Sequence, residues 1–212
     1  KGIRKPLKKR EGYLTLKQRL DLRDSLSRAS HPEWKNKPFT NQQAIFVMVL
    51  LLSGLRKDEA RLLRWEHISF VDRTITIPET KNGKTHVLPM TSRMKGLLEQ
   101  LHNDSEWVFE SPRLKGKPAS MSRVIERVSE DLGTNFTHHD IRRTVATLLA
   151  ERGLSSDQIG ILLNHANKGQ TQDYIQRTIQ QVIPLMENIE HDLFDTDDDP
   201  SRDEANEESS DQ

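Results

Sequence analysis

Apolar residues recur three or four positions apart along most of the chain, the spacing that places them on one face of a helix. The predicted helices cover residues 15–29, 42–52, 56–65, 91–101, 120–132, 137–152, 155–163 and 179–194. Residues 42–52 are apolar on nearly all sides, which predicts a helix at the centre of the core, capped by Thr40 or Asn41. Pro184 interrupts the last pattern and predicts a kink there or a division into two helices.

Two short segments, 74–77 and 85–88, alternate apolar and polar side chains and are predicted to be strands. Asn82-Gly83 lies between them, and this dipeptide favours the positive φ angles of a type I′ hairpin turn. Residues 107–109 are predicted to form a short third strand. We therefore expect a mainly α fold with a small antiparallel β-sheet, an α+β architecture.

The charge of the chain is unevenly distributed. The 212 residues carry 32 basic and 32 acidic side chains, but residues 195–212 hold nine acids and one base. The remainder has 31 bases and 23 acids, a formal charge of +8 that suits a polyanionic partner, although a general surface excess of Lys and Arg explains it equally well. We expect a basic linker or DNA-contacting arm at 1–12, a folded catalytic domain at 13–194 and an acidic disordered tail at 195–212.

Several classes of protein are disfavoured by composition. Cysteine is absent, which excludes a disulfide framework, thiolate zinc sites and a cysteine nucleophile. The longest apolar run, residues 44–52, is far shorter than the ~18 residues of a membrane span. No signal peptide is visible and the first residue is Lys1, so we expect an excised part of a longer protein.

Two pairs of side chains at helical spacing are candidates for chemistry. Arg56 and Glu59 lie three residues apart, so the carboxylate can hold the guanidinium in one orientation; an ordinary surface ion pair is the alternative. His139 and Arg142 share a face at a predicted helix start, where a neutral imidazole beside a guanidinium could accept a proton near a phosphate. Metal binding or solvent exposure is the alternative for His138 and His139, but we expect adjacent histidines to point in different directions.

Other candidates lie at a turn and near the carboxyl end of the folded part. Lys81 directly precedes the Asn-Gly turn, where it could reach a DNA groove or an active site, with Lys84 as its competitor. An edge-strand lysine that discourages aggregation is the structural alternative. His165 precedes Tyr174, whose hydroxyl needs nearby cations and a base to act as a nucleophile. Packing of Tyr174 on the core is the alternative.

The order and spacing of these residues resemble the tyrosine recombinase (phage integrase) family. The matching segments are LLSGLRKDE at 51–59, TKNGKTHVLPM at 80–90, HDIRRT at 139–144, LNH at 163–165 and Tyr174. The resemblance spans roughly residues 40–178 and implies the catalytic-domain fold of that family. The separate DNA-clamping domain that usually precedes this one in the family is expected to be missing from this chain.

The resemblance implies a site-specific recombinase that cuts and rejoins DNA. Tyr174 would attack a phosphodiester to form a 3′-phosphotyrosyl link and release a 5′-hydroxyl. The remaining positions receive these roles: Arg56, Arg142 and His165 stabilise the phosphate, Lys81 is the acid, His139 is the base, and Glu59 supports Arg56. No cofactor and no metal are implied, because the phosphotyrosine conserves the bond energy.

The implied partners are double-stranded DNA with attachment sites, other copies of the chain in a tetrameric complex and accessory DNA-bending proteins, with no membrane. We expect residues 179–194 to pack on a neighbouring subunit, with packing on their own domain as the alternative. The expected location is the cytoplasm of a bacterial or phage-infected cell.

The alternative functions are a type IB topoisomerase, which would reseal the same strand, and a purely DNA-binding module. A metal-dependent nuclease would need clustered carboxylates, which are not found near the histidines.

Overall fold

Helices dominate the fold and a three-stranded sheet lies at one side of them, in a computed structural model that describes residues 12–30, 39–78, 80, 85–164 and 172–194. The helices are α1 (Leu16–Ser30), α2 (Asn41–Ser53), α3 (Lys57–Arg61), α4 (Ser92–Glu99), α5 (Val124–Asp131), α6 (His138–Glu151), α7 (Ser156–Leu162) and α8 (Gln172–Phe194). The strands are β1 (Ile68–Ser69), β2 (Thr74–Ile77) and β3 (His86–Pro89), and a short 3-10 turn covers Trp65–His67. The predicted mainly α fold with a small antiparallel sheet is confirmed.

Helix α2 is the centre of the core, as its sequence predicts. Every residue from 44 to 53 is buried, and α1, α4, α5 and α6 all contact this helix. Thr40 caps its start, where the Oγ1 atom accepts a hydrogen bond from the backbone N–H of Gln43. Gly54 ends it in a left-handed conformation with φ 64°. The chain therefore leaves the core abruptly, immediately before Arg56.

The sheet has the order β1-β2-β3, and all of its pairs are antiparallel. The predicted strands at 74–77 and 85–88 are present, but the prediction of a third strand at 107–109 is wrong. Trp107 makes only an isolated bridge to Arg64, and the third strand is β1. The apolar run at 107–109 reflects burial of Val108 and Phe109 in the core, whereas β1 has two residues and is too short to show alternation.

Helix α8 packs on its own domain. Val182, Met186, Ile189 and Leu193 are all buried, and α8 contacts α1, α4, α6, α7 and β3. In the single chain, residues 179–194 thus pack on their own domain, which was the alternative. Packing of this segment on a neighbouring subunit in an assembled complex stays a prediction. Division at Pro184 is wrong, since α8 is one continuous helix from Gln172 to Phe194. Pro184 lies on the exposed face, where water can bind the carbonyl that loses its N–H partner.

Some of the sequence predictions concern residues outside the described ranges. They are the basic arm at 1–11, the Asn82-Gly83 turn with Lys81 and Lys84, and the acidic tail at 195–212. Within the described residues, none of the helices combines the length and the apolar character that crossing a bilayer requires.

Candidate active site

Arg56 occupies the N-cap position of α3, two residues after Gly54. Its Nη1 atom donates to Oε1 of Glu59 at 2.8 Å, and its backbone N–H donates to Oε2 of the same carboxylate at 2.9 Å. The side chain of Glu59 is 9% exposed, so this carboxylate is well shielded from solvent. Both oxygens of one buried acid thus fix the backbone and the guanidinium of Arg56, which distinguishes this contact from an ordinary surface ion pair.

The amino-terminal part of α6 carries His139 and Arg142. Asp140 Oδ2 accepts from the backbone N–H and the hydroxyl of Thr137 at 2.8 and 2.7 Å, so the helix start has the predicted capping geometry. His139 is exposed, and Arg142, one turn further on, is half-buried. Arg142 donates through Nη1 to the carbonyl of Gly54 and through Nη2 to the carbonyl of Leu163. The side chain is therefore held at both ends of its guanidinium.

The last turn of α7 supplies the carbonyls that hold both arginines. Leu163 O accepts from Arg142, and Asn164 O accepts from Arg56 Nη2 at 3.3 Å. Asn164 has φ 50°, a left-handed conformation that asparagine tolerates just after a helix end. Carbonyls at a helix C-terminus lack helical partners and carry partial negative charge, so they favour cations. Two successive carbonyls thereby bring Arg56 and Arg142 side by side.

His86, at the start of β3, reaches the same turn. Its Nε2 atom lies 3.1 Å from the carbonyl oxygen of Leu162, and the residue is 6% exposed. Since a carbonyl only accepts, Nε2 must carry the hydrogen. The pKa of His86 is lowered to about 4, mainly by burial; Glu59 and the bond to Leu162 oppose the shift, and Arg142 and Arg56 contribute to it. His86 is thus a neutral donor at neutral pH.

Gly54 allows this close assembly. A Cβ atom at this position would lie 2.4 Å from Cδ2 of Leu163 and 3.3 Å from Cγ1 of Val145. Its positive φ also disfavours any side chain. The absence of a side chain therefore lets α6 and the end of α7 approach the end of α2, which brings Arg142 within reach of the Gly54 carbonyl.

The joined charges of Arg56, Glu59 and Arg142 sum to +1, two guanidiniums against one carboxylate. The pKa of Arg142 is lowered to about 10, mainly by burial and also by the charge of Arg56, while Glu59 opposes the shift. Arg142 still carries its charge at neutral pH. Two adjacent cations with one carboxylate between them favour the binding of a further anion.

The rings of His138 and His139 lie against each other, with centroids 4.3 Å apart and planes inclined by 38°. The expectation that these adjacent histidines point in different directions is wrong, because both turn toward the same groove at the start of α6. Burial is the main cause that lowers the pKa of His138, and its neighbour His139 adds to the shift. Within the described ranges, no group of three or more His, Asp or Glu side chains is arranged to hold a metal ion.

The arginines and His139 line an open groove of about 810 Å³. The groove continues from them past Arg64 to Trp107, where the Arg64 guanidinium lies 4.4 Å from the Trp107 ring centroid. Its walls combine apolar side chains with four Lys or Arg and three Asp or Glu side chains. The cations Arg56 and Arg142 therefore mark the end of the groove that favours an anion.

The structure brings together four of the seven predicted site residues: Arg56, Glu59, His139 and Arg142. Lys81 and His165 lie outside the described residues, and Tyr174 lies in the first turn of α8 with its side chain outside them. Sequence reasoning gave no role to His86 or Gly54. Both stand in segments that match the family, but a histidine in a strand and a glycine after a helix are too common to indicate a site.

Curated proteins with related sequences are recombinases and integrases. The tyrosine recombinase XerA of Pyrococcus furiosus is 29% identical over 151 residues, which cover 68% of this chain and 53% of XerA. The prophage integrase IntZ of Escherichia coli is 37% identical over 130 residues, 58% of this chain and 32% of IntZ. The chain thus spans about half the length of XerA and about a third of IntZ.

Solved structures share the fold. The XerH site-specific recombinase bound to its difH substrate superimposes with a TM-score of 0.60 at 16% identity, covering 88% of this chain and 54% of XerH. A lambda integrase tetramer bound to a Holliday junction gives a TM-score of 0.55 at 20% identity, covering 76% of this chain and 49% of that one. The fold is therefore that of tyrosine recombinase catalytic domains. Residues 21–181, most of the length of this chain, match the phage integrase family. The chain therefore belongs to that family.

Proposed function

We propose that this chain is the catalytic part of a site-specific DNA recombinase. The observation that carries the proposal is the pair Arg56 and Arg142, held side by side by the carbonyls of Asn164 and Leu163 at one end of an open groove. The pair is pre-organised before any ligand binds. Together with Glu59 it has a net charge of +1, which balances the single negative charge of one phosphodiester. Rigid donors aimed at a phosphate stabilise the charge that develops there during phosphoryl transfer.

The proposed reaction proceeds through a covalent enzyme. The Tyr174 oxygen attacks the scissile phosphorus and forms the 3′-phosphotyrosyl bond as the bond to the 5′-oxygen breaks. Arg56 and Arg142 hold the non-bridging oxygens, and His139, exposed in the same groove, accepts the tyrosine proton. A 5′-hydroxyl from a partner strand then attacks the phosphotyrosine and releases Tyr174, so bonds are exchanged without net hydrolysis.

Two further roles follow from the family match. His165, the residue after Asn164 in the chain, is proposed as a third phosphate donor, and Lys81 as the acid that protonates the leaving 5′-oxygen. Glu59 fixes the orientation of Arg56. We propose no cofactor, because the covalent link conserves the energy of the bond that is broken.

The proposed partners are double-stranded DNA with attachment sites and further copies of the protein. XerH in its solved complex is bound to difH, and lambda integrase in its complex forms a tetramer on a Holliday junction. We propose a tetrameric complex here too, with accessory DNA-bending proteins. We also propose that residues 13–194 form the catalytic domain and that residues 1–12 are a basic linker or DNA-contacting arm. If phosphate contacts dominate, log K should fall with log salt by ~0.9 per neutralised phosphate.

The first test is covalent capture. The protein is incubated with a pool of nicked duplexes of randomised sequence, from which the 5′-hydroxyl fragment diffuses away after cleavage, and denaturation-resistant adducts are recovered and sequenced. We expect adducts at one preferred sequence, equally with and without a chelator. Tyr174→Phe should bind the selected DNA without forming adduct, and Tyr13→Phe is the matched control. Adduct formation by the Tyr174→Phe protein would assign the nucleophile elsewhere, and dependence on metal would favour a nuclease.

A second experiment tests the acid. Lys81→Ala should cleave the selected duplex slowly, and sulfur at the bridging 5′ position should restore the rate because a thiolate leaves without protonation. The matched control is Lys84→Ala, across the same turn. If the Lys84→Ala protein alone shows the rescue, the acid is Lys84. A wild-type protein that relaxes supercoils but does not exchange strands would identify a type IB topoisomerase activity instead.

A further inference from the structure

Three successive carbonyls at the end of α7 each accept a hydrogen bond from a side chain of another element. Leu162 O accepts from His86 of β3, Leu163 O from Arg142 of α6, and Asn164 O from Arg56 beside α3. The three donors are 76, 21 and 108 residues away in sequence from their acceptors. One short turn therefore sets the relative position of both arginines, and any shift of that turn moves them together.

Among the three donors, only His86 has no predicted contact with the phosphate. It is nearly fully buried beneath the arginines, on the inward face of β3 with Leu88, and it pairs across the sheet with Ile77. A lysine or arginine in its place would add a third buried cation beside Arg56 and Arg142. An apolar residue would leave the Leu162 carbonyl without its donor. A neutral imidazole satisfies the carbonyl without adding charge.

We propose that His86 is a positioning residue for the recombination reaction: through its hydrogen bond to Leu162 O it fixes the last turn of α7, and thereby the geometry of the Arg56–Arg142 pair. The proposal rests on the proposed function. It also ties the arginines to the paired strands β2 and β3, because His86 is the first residue of β3, five positions after Lys81 in the sequence. His86 itself touches no reacting atom and takes no part in proton transfer.

The test uses the full chain and substitutions of His86 that differ in whether the new side chain can donate a hydrogen bond to Leu162 O. His86→Gln places an amide N–H near the position of Nε2, whereas His86→Leu has similar bulk without a donor. We expect His86→Leu to slow single-turnover adduct formation by about 10–100-fold, because small displacements of catalytic groups cost rates of that order. Its affinity for the captured duplex should stay unchanged, and His86→Gln should recover most of the rate. If His86→Leu does not fold, His86→Asn replaces it, since its amide is too short to reach Leu162.

Two readouts separate positioning from other roles. The pH dependence of cleavage should be the same for wild type and His86→Gln, since a neutral donor does not titrate in the reaction. If one side of the pH–rate profile disappears in His86→Gln, His86 acts as an acid or base and the proposal is overturned. A merely structural role predicts a lower melting temperature and equal losses of affinity and rate. His102→Leu is the matched control, because that imidazole is exposed and stacks on Trp65. Cleavage by His86→Leu at the wild-type rate would also overturn the proposal.

Hydrogen exchange provides a separate measurement that does not depend on cleavage. The amides of Leu163 and Asn164 donate to Ile159 O and Ile161 O in the last turn of α7. In His86→Leu these amides should exchange faster, while those of α2 should keep their wild-type protection. Unchanged exchange at α7 would disprove the tie between His86 and the turn. A wild-type protein that captures no DNA would instead refute the proposed function, and the exchange result would still decide the role of His86.

Discussion

Two clusters of charged side chains join the elements of this domain, and they balance their charge in different ways. The arginine cluster consists of Arg56, Glu59 and Arg142, and it retains one positive charge beside an open groove. The carboxylate cluster consists of Glu187 and Glu190 on α8 with their partners Arg73, Thr91 and Ser92. Each cluster connects distant parts of the chain, but only the first presents charge to a groove.

The carboxylate cluster neutralises itself. Glu187 pairs with Arg73 and also accepts from the hydroxyl of Ser92 at 2.9 Å. Glu190 is 5% exposed and accepts from Thr91, and burial raises its pKa to about 8. It is therefore mostly protonated at neutral pH. A buried charge that the fold needs only for docking α8 is paired or neutralised, whereas the arginine cluster keeps both guanidiniums charged, as the proposed phosphate site requires.

The largest expected effect is the loss of adduct formation on substitution of Arg142. Arg142→Gln removes a charge aimed at the phosphate, so adduct formation should fall by about 100–1000-fold with little change in DNA affinity. The measurement is single-turnover cleavage of the captured duplex. Arg143→Gln, which removes an exposed charge from the next position of α6, is the control. An equal loss in the two proteins would show that the rate depends on general positive charge and not on the clamp.

The second prediction concerns the backbone that supports the arginine cluster. Gly54→Ala forces a side chain into a left-handed conformation and against Leu163, which together should cost about 2–5 kcal/mol of unfolding free energy. Cleavage per folded molecule should also fall, because a displaced Gly54 carbonyl no longer holds the guanidinium of Arg142 in place. Gly153→Ala also has a positive φ of 84°, but its added Cβ would meet no atom within 4 Å. It should lose stability and retain cleavage per folded molecule.

These two sites also show what sequence patterns can and cannot reveal. The pairing of Arg56 with Glu59 and the capping of α6 by Thr137 and Asp140 were predictable, because both join side chains three residues apart. The bonds of Arg142 to Gly54 and of His86 to Leu162 were not, since they span 88 and 76 residues and end on backbone carbonyls. Every residue has a backbone carbonyl, so a sequence pattern does not show which carbonyls accept these bonds. Only the packing of α2, α6 and α7 determines which carbonyls meet a donor.

The packing of α8 shows a related limit of sequence patterns. The apolar spacing of residues 179–194 indicates a buried face, but it does not identify the surface that buries it. In the single chain, Glu187 and Glu190 hold this helix on its own domain through their partners Arg73, Thr91 and Ser92.

The third prediction tests the raised pKa of Glu190. A carboxylate whose pKa is higher in the folded state than in the unfolded state stabilises fully below the unfolded value of 4.5. That contribution is lost as pH rises through about 8. Relative to wild type, Glu190→Gln should therefore gain roughly 1–3 kcal/mol at pH 9 and little at pH 4, because it removes an ionised buried group. Urea denaturation across this range measures the difference, and a constant difference at all pH values would contradict the assignment.

The smallest effect is expected at Glu187, one turn earlier on the same helix face, and it has the opposite sign. The hydrogen bond from Arg73 is the main cause that lowers the pKa of Glu187, with a second contribution from Ser92. The stability it contributes is present above the unfolded pKa of 4.5 and is lost as pH falls through the lower folded value. Both partners are about a third exposed, so Glu187→Gln should cost about 0–1 kcal/mol at pH 7 and nothing at pH 2. Added salt should reduce the cost further, and Glu187→Gln/Glu190→Gln should flatten both limbs of the stability curve. A Glu187→Gln protein that loses stability on the alkaline limb would show that the two carboxylates titrate as one coupled pair.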